Sequence, residues 1–147
     1  MTTITFRDNV MAADGRETIS GETTPDGYIV RDNCKKIFRL TDGSLFAGHG
    51  VSEDVERVRL ALEDGRKKMP KSEDCMCIRV KPDGSLWCYE GRIWTEITDM
   101  PYYALGSGAP FALSAMDTGA DAQTAVRVAI SRDVWSGGVI QVEPLKP

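Results

Sequence analysis

The chain opens Met1-Thr2-Thr3-Ile4-Thr5-Phe6, and the reading of those six residues decides the fold. Side chains alternate across a β-strand, so Thr2, Ile4 and Phe6 share one face while Thr3, Thr5 and Arg7 share the other. Ile4 and Phe6 mark their face as the buried one and carry the Thr2 hydroxyl inward. Threonine is a good strand former, and at a terminus the simplest account is a strand-forming residue at a fraying end. Any function for Thr2 needs partners elsewhere in the chain.

With 147 residues, the sequence suits one domain spanning 1–147 that can bury a core without disulfides or metals. Its net charge is −4, from 18 basic and 22 acidic residues, and neither sign forms a long run. No basic stripe is present, so nucleic acid is not the expected partner. The sequence shows no apolar run of membrane-spanning length and no signal-like leader, which gives the expectation of a soluble, cytoplasmic protein without membrane association. Cys75 and Cys77 are spaced as strand neighbours, not as a zinc knuckle; reduced, mostly buried thiols and no metal are expected for these two, Cys34 and Cys88.

Asp-Gly pairs punctuate the sequence at Asp14-Gly15, Asp26-Gly27, Asp42-Gly43, Asp64-Gly65 and Asp83-Gly84. Most separate runs rich in Val, Ile, Thr, Phe and Tyr, which predicts tight turns between antiparallel strands. The strands are expected near 2–7, 10–14, 28–31, 34–40, 44–48, 75–81, 86–90, 93–97, 102–105 and 138–143. Helical spacing of Val51, Val55, Val58 and Leu62 predicts a helix with Ser52 as N-cap, ending near residue 66 after Gly65. A second helix follows Gly106-Ser107-Gly108 to Met116, and a third runs from an Asp121 cap to about Arg132. The order implies an α+β fold with two sheets and helices packed outside.

Several residues stand out chemically. In a strand over 34–40, alternation sets Lys36 beside Phe38 and Leu40, so an ammonium shares a face with large apolar groups and either snorkels or meets a carboxylate. Asp14 could be that carboxylate, although Asp-Gly is also a common turn. Asp133 falls where the third helix ends, a position that the helix dipole disfavours by up to about 1 kcal/mol. Ser107 and Ser136, both next to glycines, read as cap or turn residues or as members of a site. Gly48 and Gly50 would let backbone N–H groups approach a ligand. His49 is the only histidine and has no nucleophile elbow beside it, which argues against a histidine-based triad.

The Thr after Met1 and the stretches "AADGRET" (12–18), "NCKKI" (33–37), "AGHG" (47–50), "LGSG" (105–108) and "RDVWSGG" (132–138), in that order, resemble the threonine peptidases of the proteasome β-subunit and HslV type. That resemblance implies an N-terminal-nucleophile hydrolase sandwich, with two antiparallel sheets between helix layers (αββα). Thr2, freed by removal of Met1, would be the nucleophile, with Asp14 and Lys36 beside it. Gly50 would supply the oxyanion hole, and Ser107, Asp133 and Ser136 would surround the Thr amine. Thr18 and Gly50 would pair with substrate, and Cys34 and Gly48 would line the primary pocket.

The resemblance further implies a self-compartmentalising homo-oligomeric ring, a hexamer or heptamer or a double ring, acting on polypeptides with a possible AAA+ unfoldase and no cofactor. One departure is visible. The stretch "KKMPKSED" (67–74) leads straight to a strand where the family usually has a second outer helix. An amidase of the same mechanism acting on small amides, and a catalytically silent ring or scaffold protein, are the alternatives.

Overall fold

The computed structural model describes residues 1–20 and 28–147, so the Asp26-Gly27 turn lies outside the described residues. Along these residues run β1 (Ile4–Arg7), β2 (Val10–Ala13), β3 (Glu17–Ser20), β4 (Tyr28–Arg31), β5 (Ile37–Arg39), β6 (Leu45–Gly50) and α1 (Ser52–Glu63). Then follow β7 (Ser72–Val80), β8 (Leu86–Gly91), β9 (Ile93–Ile97), β10 (Tyr102–Leu105), α2 (Ala109–Asp117), α3 (Ala122–Arg132) and β11 (Gln141–Pro144). One sheet has the order β10-β1-β2-β11, a second has β5-β6-β7-β8-β9, and β3 and β4 form a separate two-stranded ribbon. Every described pairing is antiparallel.

The alternation in the first six residues builds the layers. Ile4 and Phe6 point into a core shared with Met11, Ile37, Leu45, Ile78 and Val80, which joins the two large sheets. Thr3 and Thr5 point the other way, where Ala104, Ala112, Ala125 and Ala129 seat α2 and α3 closely on the four-stranded sheet. Thr5 is buried there and its hydroxyl donates to Ala122 O at 2.8 Å, which satisfies a polar group under the helices. On the opposite side Phe46, Cys75, Cys77 and Tyr89 pack against Val58 of α1. The result is a four-layer αββα sandwich, with α1 the sole described helix on the five-stranded side.

Local chemistry sets the ends of these elements. Asp8 and Asn9 have φ of 51° and 60° and turn β1 into β2, a left-handed pair that Asp and Asn tolerate better than other side chains. Asp42-Gly43 and Asp83-Gly84 turn β5 into β6 and β7 into β8, as read from the sequence. Asp64-Gly65 instead closes α1: Arg66 N–H donates to Ala61 O and Gly65 N–H to Leu62 O, the pattern of a Schellman cap. Asp121 caps α3 by accepting from Thr124 N–H at 2.7 Å.

Several expectations need correction. Ser52 is not the N-cap of α1; Val51 holds that position, and the Ser52 hydroxyl turns to Glu17 at 3.2 Å. Ser107 does not cap α2, whose N-cap is Gly108. The strand expected over 34–40 begins only at Ile37, because Cys34 N–H is taken by Gly15 O and Lys36 N–H by the Gln141 side chain. Asp14-Gly15 makes no hairpin and leads from β2 into β3, a short polar strand absent from the sequence reading. The last strand starts at Gln141, since Val139 N–H donates to Asp32 O and draws the preceding residues into a loop. Residues 64–71 form no helix, so the outer layer has the gap that "KKMPKSED" announces.

Candidate active site

The start of β1 lies between the ends of both large sheets. Thr2 is 6% exposed. Its Oγ1 accepts from Lys36 Nζ at 2.9 Å, and the same ammonium donates to Asp14 Oδ1 at 2.7 Å and to Arg16 O at 2.6 Å. Met1 O, 3.5 Å away, is a fourth and longer contact, so the three ammonium protons are fully engaged. Asp14 is fully buried, and the Lys36 side chain is 9% exposed. Burial pushes the Lys36 pKa below its ordinary value, while the charge and hydrogen bond of Asp14 oppose that shift. Asp14 is itself held by three backbone donors, Thr3 N–H at 2.9 Å, Gly137 N–H at 3.0 Å and Arg16 N–H at 3.2 Å. Its carboxylate therefore ties β1, the turn before β3 and the loop before β11 to one point.

A second polar group sits behind Thr2. Ser107 Oγ donates to Asp133 Oδ2 at 2.6 Å and lies 3.4 Å from Thr2 O. Ser136 Oγ reaches the same Asp133 oxygen at 2.7 Å and stands 2.7 Å from Thr3 Oγ1, so a hydroxyl chain runs from β1 to the end of α3. Burial raises the Asp133 pKa, but donation from Ser107, Ser136 and Trp135 N–H, with the N-terminal charge, outweighs it and leaves the carboxyl below its usual value. These donors answer how a carboxylate stands at a helix C-terminus. The loop before α2 also needs a glycine at 106: its φ is +95°, and a Cβ there would lie 1.9 Å from Thr2 O.

Thr2 opens onto a cleft of about 720 Å³ whose walls include Thr18, Cys34, Lys36, Gly48, His49 and Gly50. Gly50 has φ +109°, and a Cβ there would meet Asp74 O at 2.1 Å. Val51 N–H donates to Asp74 O across the β6–β7 ladder. By the two-residue alternation of antiparallel pairing, the N–H groups of Gly48 and Gly50 then point away from β7. They face the edge that β5 covers only as far as Ile37, opposite Ala47. On the other wall of the cleft Thr18 of β3 pairs with Val30 of β4, and Cys34 Sγ donates to Glu17 Oε2 at 3.4 Å. Burial, then the N-terminal charge and Lys36, push the His49 pKa down, which favours its neutral form.

The structure thus brings Thr2, Asp14 and Lys36 into direct contact, joins Ser107, Asp133 and Ser136 in one network behind them, and lines the adjoining cleft with Thr18, Cys34, Gly48 and Gly50. Of the other cysteines, Cys75 and Cys77 lie under α1 and Cys88 beneath Tyr103. Among the described residues no group of three His, Cys, Asp or Glu side chains is arranged to hold a metal.

Two residues of this assembly carry no signal in the sequence. Thr3 supplies both a backbone donor to Asp14 and a hydroxyl to Ser136. Gln141, on β11, accepts Lys36 N–H at 2.9 Å and Ile37 N–H at 3.0 Å and donates to Ile37 O at 2.8 Å. It acts as a substitute strand for the residues that position Lys36. Gln141→Leu should leave two backbone N–H groups without acceptors, at about 1–3 kcal/mol each. Thermal unfolding should show a lower Tm, with Gln141→Glu, which still accepts both, intermediate; an unchanged Tm in Gln141→Leu would remove this role.

No family model matches the chain, and no curated protein is similar to it. Solved structures are. The chain is 20% identical to BPH of Thiobacillus denitrificans in complex with epoxomicin, with a TM-score of 0.62 over 99% of both chains. BPH alone gives a TM-score of 0.63 at 20% identity, over 99% of this chain and 98% of that one. HslV from Trypanosoma brucei gives 0.64 at 16% identity over 97% of each. These likenesses establish that the αββα sandwich is the N-terminal-nucleophile hydrolase fold.

Proposed function

We propose that this chain is a threonine-type endopeptidase subunit whose nucleophile is Thr2 once Met1 has been removed. The observation that carries the reading is the Lys36 ammonium, held between a fully buried Asp14 and the Thr2 hydroxyl at the wall of an open cleft. A structural lysine has no need to donate to a terminal threonine.

The chemistry follows from that contact. Because Lys36 donates to Thr2 Oγ1, the hydroxyl proton is free to pass to the α-amine of the same residue, which in a model peptide titrates at about 7.7–8.0. Attack forms the bond from Oγ1 to the scissile carbonyl carbon, and the amine takes the hydroxyl proton. Lys36 stabilises the charge on Oγ1, and the Gly50 N–H receives the oxyanion. Collapse breaks the C–N bond, and the α-ammonium protonates the departing amine. Water then hydrolyses the ester with the α-amine as base. Asp14 keeps Lys36 charged, while Ser107, Asp133 and Ser136 hold the ground around the amine. With Met1 in place the nitrogen is an amide and cannot act as a base.

Substrate would lie as an added strand between Thr18 and Gly50, its side chain directed toward Cys34 and Gly48. A homo-oligomeric ring, hexameric, heptameric or double, would enclose such sites in a cytoplasmic chamber, fed by an AAA+ unfoldase. The fold shared with HslV supports this, and Leu60 of α1, 44% exposed, belongs to the surface such a contact would cover. With a thinner outer layer, ring-to-ring contact is expected to be weak.

The test is intact mass combined with hydrolysis of an unfolded protein by the purified chain. Loss of Met1 and cleavage of the protein substrate are expected. Full retention of Met1 in the cellular form would sink the catalytic reading, and turnover confined to small amides would replace the peptidase with an amidase.

A further inference from the structure

The gap in the outer layer leaves a second cleft, far along β7 from Gly50. It has a volume of about 420 Å³ between the C-terminal end of α1 and the outer face of β7–β9, and Leu62, Met69, Trp87 and Trp94 form its apolar wall. Trp87 and Trp94 are both only half-buried. Indoles left open in this way are characteristic of the anchoring points of interfaces. Trp94 Nε1 is also the sole buried side-chain polar atom without a hydrogen-bond partner among the described residues, a deficit of about 1–3 kcal/mol.

The rim is cationic. Arg66, Lys67, Arg79 and Lys81 all line the cleft of a chain whose net charge is −4. Arg79 is paired with Asp42 and Arg66 with Asp64, while Lys67, exposed, and Lys81, whose charge reaches Asp83, make no close ion pair among the described residues. The C-terminal carbonyls of α1 point this way and would repel an anion, but Gly65 and Arg66 N–H groups cap two of them. Positive charge dominates the opening.

We propose that this cleft docks a carboxylate-bearing segment of a partner polypeptide. Charge complementarity with Lys67 and Lys81 requires an anion, and the indoles require an apolar body next to it. A nucleic acid fits less well: Lys81 Nζ lies 4.2 Å from the Trp87 ring centroid and occupies the face on which a base would stack. A volume near 420 Å³ admits one or two side chains, which suits a peptide segment. Neither Thr2 nor its cleft enters this argument, so it stands apart from the peptidase reading.

Calorimetric titration of the intact chain with end-capped hexaglutamate tests the proposal, with hexaglutamine and hexathymidylate as comparison probes. Saturable binding of hexaglutamate with quenched Trp fluorescence is expected, and none with hexaglutamine. Lys67→Ala/Lys81→Ala should weaken it at least tenfold and Trp94→Phe about threefold, with circular dichroism and Thr2-dependent peptide hydrolysis unchanged. Absence of saturable hexaglutamate binding would overturn the site, as would equal affinity in folded Lys67→Ala/Lys81→Ala. Tighter binding of hexathymidylate would reassign it to nucleic acid.

Discussion

Thr2→Ala should abolish peptide hydrolysis while leaving a folded chain. The substitution removes Oγ1, the atom proposed to attack, and leaves the α-amine and every residue around it in place. Lys36 loses its 2.9 Å acceptor but keeps Asp14 and Arg16 O, so the structural cost is that of one hydrogen bond, about 1 kcal/mol. Thr2→Ser is the informative companion. It restores the oxygen and loses only a methyl group in a site 6% exposed, so measurable turnover should return. Alanine and serine, like threonine, are small enough at position 2 for methionine excision, so intact mass should show Met1 absent from all three proteins. Steady-state hydrolysis of an unfolded protein distinguishes the outcomes. Wild-type rates in Thr2→Ala would exclude Thr2 as nucleophile.

Much of the fold was legible because alternation and turn chemistry agree with the tertiary answer. The six-residue start fixes two opposite faces, and Ile4 and Thr5 occupy them as read. The Asp121 cap and the Gly65 stop depend on neighbours within a few residues, so local rules found them. What the sequence hid is what depends on distant partners. Lys36 lies outside the strand proposed for it because Gln141, over a hundred residues away, takes its backbone N–H. Ser52 and Ser107 look like helix caps, yet their hydroxyls serve Glu17 and Asp133 instead.

The candidate site was legible for a different reason. Lys36 and Asp133 each break a local rule, a lysine among apolar neighbours and a carboxylate at a helix C-terminus, while Asp14 read as an ordinary Asp-Gly turn and stood out only as a carboxylate that Lys36 could meet. In the structure the buried Asp14–Lys36 pair meets Thr2, and Asp133 gains its donors from Ser107 and Ser136. Local conflict in the sequence thus marks the positions that tertiary contacts must compensate. Thr3 and Gln141 break no such rule, since a threonine in a strand and a glutamine near an edge are ordinary, and so nothing singled them out.

Lys36→Ala should lower peptide hydrolysis by a factor of a hundred or more, the loss of one preorganised charge at the reacting oxygen being worth about 3–4 kcal/mol. The variant also leaves Asp14 as a buried carboxylate without its ammonium, a change that costs about 3–5 kcal/mol in other buried pairs. Here the N–H groups of Thr3, Arg16 and Gly137 still serve that carboxylate, so the folded state should survive with a lower Tm. The pH dependence separates charge from packing. Burial lowers the Lys36 pKa below its ordinary 10.5, so between the folded and unfolded values the unfolded chain holds the extra proton and stability rises with pH. Activity should run the other way on the same alkaline limb, since the lysine that loses its proton no longer stabilises Oγ1. Wild-type protein should therefore gain stability as it loses turnover, and Lys36→Ala should show neither trend. Near-normal hydrolysis in folded Lys36→Ala, or an alkaline limb that persists in it, would remove the ammonium from the mechanism.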